Sequence, residues 1–198
     1  MTDPAQGHNP LPMATPSRGN LAVDSSVLGM LIFVASEAMF FAGLVSGFTI
    51  VKSGAMVWPP PGQPRLPIEE TAINTAALLT SGVLLFLARR AFSRDRKRCS
   101  QLLIASIGLG AFFVVFQGVE WVQLIHFGLT LTSSTLGSFF YLIVGIHALH
   151  AVIAIGLMLR IWLRLQRGGV AEGQFAAVAV FWYFVVGLWP ILYFRIYL

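Results

Sequence analysis

Charge is what this sequence has least of. Only 11% of its residues are Asp, Glu, Lys or Arg, less than half the roughly 25% of soluble domains, while 57% are hydrophobic and the mean hydropathy is +0.78. A water-soluble globular fold is excluded, and the chain reads as an integral membrane protein. Cysteine is nearly absent: Cys99 stands alone inside a basic cluster. That excludes a disulfide framework and a thiolate metal pair, and with them covalent haem and copper–thiolate centres within the chain. Histidine is scarce too, with four in all, of which His8 lies in a polar tail and His126 near a helix end. Acidic residues are outnumbered 8 to 13 by basic ones. Most of the basic excess sits in two short segments between apolar runs, which is a mark of membrane topology and not of a nucleic-acid partner.

What is present is five apolar runs, roughly residues 27–51, 71–92, 102–127, 137–163 and 175–197. Each reaches or exceeds the ~20 residues that a helix needs to cross a bilayer. The fold class expected is an all-α integral membrane protein, a bundle of five transmembrane helices spanning residues 25–198, the third and fourth helices being long enough to tilt. Residues 1–24 are polar and proline-rich with no secretory-signal pattern, and read as a flexible cytoplasmic tail. Between the first two runs, Trp58-Pro59-Pro60-Pro61-Gly62 is too rich in proline for helix and reads as a stiff extended cap.

Orientation follows from counting basic residues. Six fall between Arg89 and Arg98, three more are Arg160, Arg164 and Arg167, and with Arg18 these make ten of the 13 on one side. Only Lys52, Arg65 and Arg195 fall on the other. The positive-inside rule then puts the N-terminus in the cytoplasm and the C-terminus outside. Small residues in Gly43–Gly47 and in Thr71–Gly82 suggest that helices one and two each pack closely against a neighbour.

Away from their ends, the apolar runs are interrupted by four Glu and His side chains: Glu37, Glu120, His147 and His150. Three residues apart on a helix, the two histidines share a face. At ~1.5 Å per residue, Glu37 and His147 each lie about 15 Å deep, close to the middle of a ~30 Å core, and so can meet. Glu120, about 27 Å along its helix, belongs to a different layer near the outer boundary, closer to water. A charge at the midplane is costly unless it finds a partner or a cavity. Three readings are open. A metal site lacks ligands, since the Glu-x-x-His pair of di-iron bundles is replaced by Glu120 followed by Gln123. A proton or ion path lacks a second charged layer towards the cytoplasm. Pairing across helices to fix the bundle and a lipid-lined surface is the reading that the residues favour.

Several stretches, in order, resemble subunit III of the haem-copper cytochrome c oxidases: Phe33-Val-Ala-Ser36-Glu37-Ala-Met39-Phe40-Phe41, the Trp58–Gly62 loop, Asn74-Thr75 with Thr80-Ser81-Gly82, Phe116-Gln117-Gly-Val-Glu120-Trp121, and Gly137–Phe140 with Gly145-Ile-His147-Ala-Leu-His150. The resemblance covers nearly everything from Val27 onward and corresponds in length to the short, five-helix bacterial form, so it implies a multi-pass protein of a bacterial cell (inner) membrane. It also implies a chain without redox centres or bound metal, whose helices hold structural phospholipid. The partners implied are oxidase subunit I, as the main contact, and subunit II. Haem and copper would reside in those partner subunits. The role implied is support of the catalytic subunit's stability and proton uptake during oxygen reduction, with Glu37 at the position of the family's carbodiimide-reactive membrane glutamate.

The last helix departs from the family. Phe181-Trp182-Tyr183-Phe184-Val185-Val186 places Tyr183 where histidine is usual and Val186 where aspartate is usual, so the family's His–Asp pair is not present here. Two rivals stand beside the oxidase. One is the related accessory subunit of nitric oxide reductases, and the other, of a different class, is a free-standing proton or ion transporter. The Trp-Pro-Pro-Pro-Gly loop and the Phe-Gln-x-x-Glu sequence favour the oxidase, and no inverted repeat is visible in support of a transporter.

Overall fold

The computed structural model describes residues 24–54, 68–128, 130–132 and 134–197. Among them the chain forms five long α-helices and no strand: α1 (Ser25–Gly54), α2 (Ile68–Ala91), α3 (Arg96–His126), α4 (Thr135–Gln166) and α5 (Glu172–Leu192). All five are long and apolar enough to cross a membrane. The expected all-α transmembrane fold is therefore what the chain adopts. Of the expected tail only Asp24 is described, and Trp58, Pro59 and Pro60 lie outside the described residues.

The helices run past the apolar stretches that mark them in the sequence. An apolar run measures the hydrocarbon core, whereas a helix ends where its caps are. Asp95 caps α3 by accepting from the Arg98 backbone N–H at 2.9 Å, and Ser134 caps α4 by accepting from Gly137 at 3.0 Å. The first basic residues of α3 thereby belong to helix. At the other ends, Gly128 (φ 90°) and Gly168 (φ 75°) adopt the left-handed backbone that closes α3 and α4. α1 has 30 residues, so it joins the expected pair α3 (31 residues) and α4 (32 residues) among the long helices.

After Glu172, α5 carries no charged side chain, and a helix apolar on all sides belongs inside a bundle. It lies against α1, α2 and α4, burying Phe175, Phe181, Trp182, Val185, Trp189 and Leu192. Pro190 removes one backbone donor from its last turn, and Tyr193–Tyr197 follow as a π turn. α2 and α3 form the closest antiparallel pair. Glycine makes two approaches to α5: a Cβ on Gly110 of α3 would lie 2.7 Å from the Trp182 ring, and one on Gly82 of α2 would lie 3.1 Å from Val186. The small-residue face of α2 is thus used as expected. That of α1 is used less, since Gly47 meets Phe139 while Gly43 faces open space. α1 is the peripheral helix: it buries Phe41 and Phe48 and leaves Leu31, Ile32, Met39, Phe40 and Ile50 exposed.

Candidate functional site

Glu37 lies on the inner flank of α1 and reaches α4. Its Oε2 is 3.1 Å from Nε2 of His150, and both side chains are largely enclosed, 22% and 12% exposed. The other ring nitrogen of His150, Nδ1, is 2.8 Å from the carbonyl of Ile146. A carbonyl only accepts, so Nδ1 is the donor in that contact, and the Nε2–Oε2 contact is a hydrogen bond when one further proton lies between imidazole and carboxyl. Whether drawn as imidazolium with carboxylate or as imidazole with carboxylic acid, the pair is neutral overall. That is the form in which two ionisable groups are tolerated in an apolar layer. Phe41, Phe181 and Phe184 present ring edges to His150 at 5.6–6.5 Å and enclose it.

His147, one turn away, does not join them. Its ring is fully buried between the edges of Phe41 and Phe113 and stacks on Trp189, and neither ring nitrogen finds a hydrogen-bond partner among the described residues. Depth along a helix allowed Glu37 to meet either imidazole. Rotation about the α4 axis decides for His150.

A second polar cluster spans α2 and α3. Thr71 donates its hydroxyl to the Glu120 carboxylate, 3.1 and 3.2 Å from the two oxygens, and Gln117 donates from Nε2 at 2.7 Å. Glu120 is only 2% exposed, so its nearness to the end of α3 does not bring it nearer water: Thr71, at the start of α2, covers it. Asn74, one turn further along α2, donates to the backbone carbonyl of Phe113 at 3.2 Å.

Residues that entered the sequence reading only as parts of longer motifs, or not at all, connect the layers. Thr75 donates to the Thr71 carbonyl and accepts from Trp189 Nε1, each bond 2.7–2.8 Å, so Trp189 touches both the Thr71 cluster and His147. Ser81 and Ser106 hydrogen-bond reciprocally to each other's carbonyl at 2.8–2.9 Å, and Trp182 donates to Ser81 Oγ at 3.1 Å. The signal for this pair was the spacing of Ser106 and Gly110, two small residues one turn apart on α3. Tyr183 lines a cavity between α1 and α5 and its hydroxyl has no partner among the described residues, while Val186 packs towards Gly82. Neither therefore replaces the function of the family's ionisable pair with another charge.

No three His, Cys, Asp or Glu side chains gather closely enough to hold a metal ion among the described residues. Fold and contacts together define a class: a multi-pass α-helical membrane protein whose buried polar side chains brace one helix against the next. Comparison with known proteins specifies which. The family model "Cytochrome c oxidase subunit III" matches residues 17–198. The chain is 32% identical to cytochrome c oxidase subunit 3 of Felis catus, and 31% identical to those of Loxodonta africana and Bos taurus. Each match runs over 179 residues, which are 85% of this chain and 67% of the relative. The chain belongs to the cytochrome c oxidase subunit III family, and with that to the subunits of haem-copper oxidases.

Proposed function

We propose that this chain is a non-redox, lipid-binding structural subunit of an aerobic haem-copper terminal oxidase in a bacterial cell membrane. It supports subunit I, its main contact beside subunit II, during oxygen reduction and proton uptake. The observation that carries this reading is the use made of the intramembrane ionisable groups. Glu37 with His150, and Glu120 with Thr71, are each spent on a neighbouring helix. Side chains so occupied brace a scaffold. The apolar outer flank of α1, exposed at Leu31, Ile32, Met39 and Ile50, supports the same reading, because it is a surface for lipid or a partner helix.

Lipid binding is supported by the cavity between α1 and α5, about 670 Å³, walled by Phe41, Val45, Phe184 and Leu188 and reaching Arg195. From Ala38 to Thr49 it follows twelve residues of α1, a rise of about 16 Å, which is the depth of one leaflet. An acyl chain fits that length, with its headgroup at Arg195. The basic residues of the α2–α3 and α4–α5 connections would face the cytoplasm.

The test is the oxidase purified with and without this chain. Equal initial oxygen consumption, with a shorter functional lifetime and fewer retained phospholipids in its absence, is the expected result. An oxidase that loses haem or its initial activity at once when the chain is removed would overturn the reading, as would purification of the chain apart from any haem-copper core.

A further inference from the structure

The α2–α3 connection holds a feature that the subunit assignment does not use. Arg90 at the end of α2, Arg94 in the turn and Arg98 in the first turn of α3 converge on one depression of about 280 Å³, whose membrane-side wall includes Leu87 and Leu102. The one acidic residue there, Asp95, directs its Oδ1 to the Arg98 backbone N–H at 2.9 Å as the α3 cap. No guanidinium of the three is ion-paired among the described residues. Arg90 is also held with its Cζ 5.6 Å above the Phe86 ring, which sets its direction without neutralising it. Three cations against one carboxylate leave an excess of two positive charges, and topology alone requires only that such residues be present, not that they converge.

A guanidinium fork matches the oxygens of a phosphate in a way that a single ammonium does not. With leucines on the membrane side and arginines on the water side, the matching ligand is amphipathic and anionic at its head. We propose that Arg90, Arg94 and Arg98 form a headgroup site for an anionic phospholipid, its phosphate among the three guanidinium groups and its acyl chains descending past Leu87 and Leu102. The site is at the opposite end of the bundle from the α1–α5 cavity and does not depend on it.

The experiment places the purified complex containing this full chain in phosphatidylcholine nanodiscs doped with a photoreactive phosphatidylglycerol and maps the adducts by mass spectrometry. Adducts are expected within residues 86–102 and should fall about a hundredfold in R90Q/R94Q/R98Q, as three basic contacts at a charged membrane surface imply. Should that variant fail to assemble, R90K/R94K/R98K keeps the charge and the topology but removes the fork, and a loss of several-fold is expected. Equal labelling by a photoreactive phosphatidylcholine overturns the proposal, and so does labelling that neither variant changes. Suppression of the adducts by soluble glycerol phosphate added before irradiation would overturn the lipid assignment in favour of free phosphates. Crosslinking of this segment to a partner protein in place of lipid would reassign it to a protein contact.

Discussion

The imidazole of His147 lies nearly parallel to the indole of Trp189, ring centroids 5.1 Å apart and planes 28° from each other, and neither residue is exposed. Of two histidines on the same helix face, one is thus a packing element and the other, His150, is the partner of Glu37. The functional weight of the pair is unequal for that reason.

His147→Phe is therefore expected to be tolerated. It replaces a ring whose nitrogens have no hydrogen-bond partner among the described residues with one that suits the aromatic box of Phe41, Phe113 and Trp189, and stability should stay within about 1 kcal/mol of the parent or rise. Trp189→Ala opens a cavity and frees Thr75, at a cost of about 3–5 kcal/mol. Thermal melts of the assembled complex compare the two, and a His147→Phe variant as unstable as Trp189→Ala would show that the imidazole nitrogens do have a role.

Glu37 and His150 are expected to be coupled. A double-mutant cycle of Glu37→Ala and His150→Ala should return about 0.6–2 kcal/mol of interaction. In the assembled oxidase, Glu37→Gln should keep most of the initial oxygen consumption, because the amide still bonds to His150. Glu37→Ala should lose activity faster during sustained turnover. Immediate loss of activity in a fully assembled Glu37→Gln enzyme would make this carboxyl an obligatory proton carrier.

A hydrophobic carbodiimide should modify Glu37 well before Glu120. The reason is access: the Glu37 side chain is 22% exposed on a peripheral helix, whereas Glu120 is 2% exposed beneath Thr71. Thr71→Ala should raise the labelling of Glu120 without changing that of Glu37, read by peptide mapping.

Gly110→Val should destabilise the α3–α5 contact by about 1–3 kcal/mol, since a Cβ there comes 2.7 Å from the Trp182 ring. Trp182→Leu in the same chain should recover part of the loss in the yield of assembled complex. Failure of any recovery would locate the conflict elsewhere.

Orientation is best tested away from Cys99, which is fully buried and should resist impermeant thiol reagents from either side. In a Cys99→Ser background, Ser93→Cys places a thiol in the exposed α2–α3 turn. It should react in inverted vesicles and not in intact cells. Reaction in intact cells would reverse the topology.

The sequence by itself determined the membrane class, the number of helices and the polar residues that matter, because lipid imposes one requirement readable residue by residue. A segment must be apolar for about 20 positions, and whatever breaks that pattern needs a partner. Glu37, Glu120, His147 and His150 stood out on those grounds alone. The ordered motifs from Glu37 to His150 also carried the family, which the matches to residues 17–198 establish. Helix ends were less legible, because Asp95 and Ser134 act as caps beyond the apolar runs.

Which group meets which was decided only by the tertiary structure. Depth is a one-dimensional quantity, fixed by rise per residue, and it placed Glu37 level with His147; pairing depends also on how each helix is rotated and tilted against its neighbours, and that gave Glu37 to His150. The same holds for Glu120, whose enclosure by Thr71 comes from a helix 49 residues away in sequence. Trp189 and Thr75, 114 residues apart, carry no sign of each other in either local pattern, and their hydrogen bond exists because α2 and α5 cross at that level. Rotation and crossing are set by the sum of many side-chain contacts, and no single stretch of the chain contains that sum.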